Sequence, residues 1–156
     1  MGLQKATFAA GCFWGVEELF AKLKGVKKTL VGYTGGETKN PTYGQVCEGK
    51  SGHAEAVQVE FDPREISYAQ LLEAFWQNHD PTTLNRQGLD VGSNYRSAIF
   101  FHSKKQQQQA EESMRLEQNK HSQKIVTEIA PAMEFYPAEE CHQKYYLKHG
   151  GANCHL

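Results

Sequence analysis

Apolar and polar positions alternate along this chain in two different periods, and the switch between them sets out the elements. Ala6 to Ala10 reads as a strand, and from Phe13 to Leu23 the residues Val16, Leu19, Phe20 and Leu23 form one apolar stripe at helical spacing. Gly25 closes that helix. Trp14 falls nearly opposite the stripe, so a large aromatic is held off the face that packs on a sheet. Thr29 to Tyr33 reads as a second strand, followed by a loop rich in Gly, Thr, Asn and Pro through Tyr43. Val57, Val59 and Phe61 alternate with Gln58 and Glu60, a half-buried strand on whose apolar side Glu55 also falls.

Ser67 with Gln70 and Ser103 with Gln106 have the spacing of capping boxes, which predicts helices running to Gln77 and to about Lys120. The run Gln106 to Gln109 is then an exposed helical face. Ala98 to Phe101 suits a central strand, with further strands near Ile125 to Ile129 and around Met133 to Tyr136. A short helix is expected from Ala138 to Leu147, and a glycine-rich tail from about residue 148 to 156. Strands and helices interleave as in an α/β protein, with no internal repeat or linker to divide residues 1–156 into more than one domain. The pattern leaves the strand order open.

Composition narrows the partners. With 17 basic and 18 acidic residues, a net charge of -1 and 39% hydrophobic content, the chain has an ordinary core and no basic excess to attract nucleic acid. No apolar run is long enough for a bilayer and no charged-then-apolar leader opens the chain, so the expected address is the cytoplasm. Four cysteines are too few for a disulfide scaffold, and a reducing compartment keeps them as thiols.

The chemistry concentrates at Gly11-Cys12-Phe13-Trp14-Gly15, where a strand turns into a helix. Unpartnered N–H groups at a helix start favour thiolate, which makes Cys12 a candidate nucleophile, while Glu17 and Glu18 in the next turn oppose that effect. Glu55 on an apolar face would be desolvated and hold a proton near neutral pH. His53-Ala54-Glu55 matches the H-x-E half of a zinc deaminase pattern. The P-C-x-x-C half is missing, and Cys141 and Cys154 are too far apart to replace it, so no metal is expected. A hydrolase pairing Cys12 with one of the seven histidines remains as an alternative. Tyr43, Tyr95 and Asp90 lie in loop contexts, Cys47 reads as structural, and Cys154 sits on the glycine-rich tail, where a thiol has the freedom to meet another.

These residues together resemble the type A peptide methionine sulfoxide reductases. The likeness runs from about Thr7 to Leu147 through Gly11 to Gly15, Gly32-Tyr33-Thr34-Gly35-Gly36, Pro41-Thr42-Tyr43, Val46-Cys47, Gly52 to Ala56, Asp80 to Thr83, Asp90-Val91-Gly92 and Tyr95 to Ile99. The resemblance implies a ferredoxin-like two-layer sandwich whose mixed sheet is covered by helices. It implies reduction of the S epimer of methionine sulfoxide, free or peptide-bound, with Cys12 attacking sulfur, Glu55 donating a proton to oxygen, Tyr43 and Tyr95 holding that oxygen, and Asp90 orienting the polar end of the site. Phe13 and Trp14 would receive the methyl group. Cys12 would become a sulfenic acid, resolved by Cys154 into a disulfide that thioredoxin reduces, without a bound cofactor and in a monomer. Cys141, in Glu140-Cys141-His142-Gln143, departs from the aromatic residue common in the family; it reads as a packing change, with a resolving role as the alternative.

Overall fold

The computed structural model describes residues 2–145. Its elements in chain order are β1 (Gln4–Ala10), α1 (Phe13–Ala21), β2 (Val26–Thr34), α2 (Tyr43–Cys47), β3 (Ala54–Phe61), α3 (Tyr68–Gln77), β4 (Arg86–Gln87), β5 (Asp90–Val91), β6 (Ser97–Phe101), α4 (Lys104–Gln118), β7 (Glu128–Pro131) and β8 (Tyr136–Pro137). Two 3₁₀ turns, Ser93–Tyr95 and Glu140–His142, complete it. The main sheet has the order β7-β6-β1-β3-β2-β8, antiparallel throughout except for the parallel pair β6 and β7. Its middle, β6-β1-β3-β2, carries α1 between β1 and β2 and α3 between β3 and β6, which is the ferredoxin-like β-α-β-β-α-β arrangement.

Period-two alternation sends Phe8 of β1 and Val57, Val59 and Phe61 of β3 to the helix side, where Phe20 of α1 and Leu71, Leu72 and Phe75 of α3 complete the main core. Phe8 stacks on Phe20 at 4.9 Å between ring centroids. The other face is lined by small residues, Ala9, Ala54, Ala56 and Ala98 with Phe100, and is covered by Ala130, Ala132 and Phe135. Alanines there let irregular chain lie close to the sheet. Among the described residues no helix is long and apolar enough to cross a membrane.

Four expectations change. The helix foreseen over Ala138 to Leu147 gives way to β8, the 3₁₀ turn Glu140–His142, and Lys144 at a positive φ of 52°. The cause is edge pairing: Ala138 N–H donates to the Val31 carbonyl at 2.9 Å. The Gln143 side chain takes the Val31 N–H at 3.0 Å and donates to the Val31 carbonyl at 2.9 Å, so it extends the sheet as a strand would. The loop foreseen through Tyr43 holds a capped helix, because Thr42 and Gln45 satisfy each other's backbone N–H groups. Gln106 is buried rather than on an exposed face. Its amide donates to the Lys5 carbonyl at 2.8 Å and its oxygen accepts from His102 N–H, so only the Ser103 half of that capping box forms. The small hairpin β4–β5, which carries Asp90, was too short to leave a periodic signal.

Candidate active site

The site is assembled where β1 hands over to α1. Gly11 adopts a φ of +96°, and a side chain there would collide with Gln87, so glycine alone permits this bend. Cys12 is the N-cap residue of α1 and is half-buried. The first helical N–H, that of Phe13, has no partner inside the helix and donates instead to Glu55 Oε1 at 3.2 Å. Glu55 thereby comes to lie beside Cys12, although 42 residues separate it from Phe13.

Glu55 is 1% exposed. It sits on β3 opposite Tyr33 of β2, and its second oxygen accepts from Asn94 Nδ2 at 3.4 Å. Burial pushes its carboxyl up to about 7, against the opposing pull of the Phe13 N–H and the Asn94 amide, with the charge of Asp90 adding to the rise. The result is a buried acid poised to exchange a proton near neutrality.

Two phenols flank this carboxyl. Tyr43 opens α2, and Tyr95 ends the 3₁₀ turn that follows Gly92. Both are half-buried, and burial followed by the negative charge of Glu55 holds both hydroxyls well above the ordinary tyrosine range, so they remain hydrogen-bond donors. Asp90 is exposed on β5, with its charge felt by both Glu55 and Tyr95. The sequence-derived set Cys12, Glu55, Tyr43, Tyr95 and Asp90 therefore gathers at one end of the sheet, on the β3 side of the α1 N-terminus.

Phe13 and Trp14 are each 1% exposed. Phe13 lies 5.7 Å from Tyr33 and 6.3 Å from Tyr43 by ring centroids. The segment after β8 covers Trp14: Tyr145 stacks on the indole at 3.7 Å and His142 Nδ1 accepts from Trp14 Nε1 at 3.0 Å. Cys12 also borders a cavity of about 240 Å³ lined by Ala10, Val16, Leu19, Phe20, Phe75 and Asn78. That cavity contains none of the acid or phenol groups, so the proton chemistry belongs to the Glu55 side.

The carboxylates set against the thiol in sequence are turned to other partners. Glu17 accepts from the Thr29 hydroxyl at 2.8 Å and the Lys144 N–H at 2.6 Å, while Glu18 pairs with Lys22 at 3.2 Å. His53 accepts the Gly36 N–H at Nδ1 (3.0 Å) and donates from Nε2 to the Thr38 carbonyl (2.6 Å), so both ring nitrogens brace the loop after β2. His79 is equally engaged, with Phe75 and Ser97, which leaves no place for it as the base of a cysteine hydrolase. Cys47 is exposed rather than packed, and one turn after Tyr43 it shares a hydrogen bond with that residue's hydroxyl. Cys141 is exposed on the 3₁₀ turn, not on an α-helix. Cys154 lies outside the described residues.

Three residues of the site were not foreseen as functional. Asn94 is buried beside Glu55, and only its place before Tyr95 could have pointed to it. Glu139 accepts from the Tyr33 hydroxyl at 2.8 Å and from the Tyr43 N–H at 3.0 Å; burial raises its carboxyl, but these N–H and hydroxyl donors outweigh it and bring the group below the usual range. His142 is 1% exposed among Phe13, Trp14 and Tyr43. No apolar period marks that stretch of chain.

The comparisons with known proteins agree with this geometry. The family model for peptide methionine sulfoxide reductase matches residues 4–156. The peptide methionine sulfoxide reductase MsrA of Methanothermobacter thermautotrophicus is 56% identical over 155 residues, covering 98% of this chain and 92% of that protein. That of Geobacter sulfurreducens is 54% identical over 154 residues, covering 97% and 95%. Among solved structures, methionine sulfoxide reductase A of Corynebacterium diphtheriae superposes with a TM-score of 0.94 at 38% identity over 98% of this chain and 78% of that one. Mxr1 from Saccharomyces cerevisiae in complex with Trx2 gives a TM-score of 0.68 at 31% identity over 92% of this chain and 85% of that one. With most of its length matched and a buried acid set beside the cysteine of its first turn, this chain belongs to the peptide methionine sulfoxide reductase family.

Proposed function

We propose that the chain reduces the S epimer of methionine sulfoxide, in oxidised proteins or as the free amino acid, with Cys12 as nucleophile and Glu55 as general acid. The observation that carries this reading is the Glu55 carboxyl, buried and raised to about 7, held by the same Phe13 N–H that follows the nucleophile. Cys12 sulfur attacks the sulfoxide sulfur, Glu55 gives its proton to the sulfoxide oxygen, and the S–O bond breaks. In net terms the thiol gains the oxygen and becomes a sulfenic acid while the substrate leaves as the thioether. Tyr43 and Tyr95 hold the oxygen as neutral donors, Asp90 orients the polar end of the site, and Phe13 and Trp14 form the apolar wall for the methyl group.

The Cys154 thiol then attacks the sulfenic acid sulfur and releases water, giving a Cys12–Cys154 disulfide. The dithiol of thioredoxin reduces it, a role consistent with the yeast relative whose structure was solved with Trx2. No bound cofactor enters this cycle. We place the chain, as a monomer, in a reducing compartment such as the cytoplasm, where the Cys12 thiol is regenerated.

Epimer selectivity follows from the three fixed partners of a pyramidal sulfur: an apolar wall for methyl, donors on oxygen and a thiol facing the centre. Incubation of each epimer with dithiothreitol should release methionine from the S form only. Comparable turnover of the R form contradicts the site, and hydrolysis of an ester or amide instead favours the cysteine hydrolase.

Glu55→Gln retains a hydrogen bond to oxygen but has no proton of comparable acidity to give, so the first chemical step should slow by roughly a hundredfold or more. In the wild type the active form of Glu55 is the protonated one. Its contribution is therefore complete below its raised value of about 7 and lost as pH climbs through it. Single-turnover rates measured from pH 5 to 9, as an order-of-magnitude bracket around that value, should show this limb in the wild type and lack it in Glu55→Gln. An unchanged rate in the variant removes Glu55 from the mechanism.

Cys154→Ser should leave the first turnover intact and abolish recycling by thioredoxin. Mass mapping after one equivalent of sulfoxide should join Cys12 to Cys154. A Cys12 to Cys141 bridge as the main product assigns resolution to Cys141 instead.

A further inference from the structure

The β4–β5 hairpin has one face at the site and its tip in solvent. Gln87 and Asp90 are register partners, so their side chains share a face of this ribbon. Gln87 lies against Gly11, the residue before Cys12, and the charge of Asp90 is felt at Glu55 and Tyr95. The ribbon is pinned in that place. Gln87 accepts the Asp80 N–H at 3.0 Å and donates to the Asp80 carbonyl, while the Thr83 hydroxyl donates to the Arg86 carbonyl at 2.6 Å. Gly92 N–H closes its base by donating to the Asn85 carbonyl at 2.9 Å.

The chain reverses at Gly88-Leu89, with Gly88 at a φ of +58°, the glycine-first arrangement of a two-residue hairpin loop. Leu89 is 100% exposed there. Val91, on the other side of Asp90, is 72% exposed, and Leu84, just before the ribbon, is 71% exposed. Single apolar residues on a surface carry no message. Here, however, three of the six large apolar side chains exposed among the described residues fall within residues 84–91, on the loop that also carries a charge of the site. The opposite rim, beside Tyr43, exposes Gln45, Glu48 and Lys50 and has no such apolar surface.

We propose that Leu89 and Val91 form a docking surface for apolar side chains that flank methionine sulfoxide in an extended stretch of an oxidised protein, so that sulfoxides with apolar neighbours are the preferred substrates. This proposal rests on the functional reading above. A sulfoxide within a polypeptide brings chain on both sides of it, and that chain has to leave the site over its rims. Leu89 is two residues beyond Gln87, at most about 7 Å of chain, and successive residues of the substrate advance by about 3.8 Å, so the neighbours of the sulfoxide come within reach of the hairpin tip. The pinned ribbon holds both side chains out before substrate arrives, which lowers the ordering cost of the contact. Apolar neighbours are also what oxidation uncovers, because a polar sulfoxide disrupts the core in which its methionine was packed.

The test uses the full chain, dithiothreitol as reductant, and three substrates carrying the S epimer: acetylated methionine sulfoxide, and two pentapeptides with the sulfoxide at the centre, flanked by leucines in one and by serines in the other. In the wild type KM should be about fivefold lower for the leucine peptide than for the serine peptide. Leu89→Ser combined with Val91→Thr should remove most of that difference and leave kcat/KM for acetylated methionine sulfoxide and for the serine peptide within twofold of the wild type, as an order-of-magnitude bound. Leu116→Ser, at an exposed leucine of α4, serves as the control and should keep the full preference.

Equal KM for the two peptides in the wild type, or a preference that survives the double substitution, overturns the proposal. Equal losses on all three substrates also contradict it, since they mean that the two residues only support Asp90. Two other occupants are separated by further measurements. A double variant that keeps the peptide preference but has a raised KM for thioredoxin assigns the surface to the reductant, and wild-type dimers in sedimentation that the variant lacks, with the preference again intact, assign it to a second copy of the chain. A wild type that reduces none of the three substrates would defeat the functional reading, whereas one that reduces them without regard to the flanks would defeat this proposal alone.

Discussion

A carboxyl group buried under the first turn of α1 is the constraint around which this molecule is arranged. Leaving such a group 1% exposed would be costly if it were charged and unpartnered. The fold meets the cost with a backbone N–H that also lacks a partner, that of Phe13, and with the Asn94 amide. Both bonds are long, at 3.2 and 3.4 Å, so they restrain the carboxyl without forcing it to ionise. A stronger cradle would produce a permanent carboxylate. A fully apolar one would hold the proton too tightly to give it up.

The sheet supplies the rest of the geometry. Because β3 lies between β1 and β2, Glu55 is brought beside the end of β1 where Cys12 sits, and Tyr33 stands across from it in register. The ferredoxin-like order thus delivers nucleophile and acid from opposite sides of a chain excursion that includes α1, β2 and α2. The segment after β8 then closes the arrangement from far along the chain. Glu139 and His142 reach Tyr43 and Trp14, and Gln143 stitches the same segment to Val31.

Much of this was readable from the residues. Alternation in β3 placed Glu55 on the buried side, and the glycine before Cys12 marked a bend that a φ of +96° requires. The Thr42 to Gln45 box was equally legible and would have revealed α2. What escaped was tertiary in origin. Gln106 is polar by type yet buried, because its amide answers the Lys5 carbonyl on a distant strand. Residues 138–145 carry enough helix formers to suggest a helix, but hydrogen bonds to the β2 edge outweigh that weak preference. Glu139 and His142 have no local signature, since their partners lie about a hundred residues or more away, at separations of 96, 106 and 128.

The account stands on Glu55 holding a proton at neutral pH while it accepts from the Phe13 N–H. Infrared difference spectroscopy of the chain labelled with ¹³C at glutamate side-chain carboxyls, titrated with and without Glu55→Gln, observes that proton directly. The account expects one protonated carboxyl band that is lost in the variant and disappears in the wild type with a midpoint of about 7. A Glu55 carboxyl already ionised throughout the neutral range, with its band titrating like an exposed glutamate near 4.3, would contradict it.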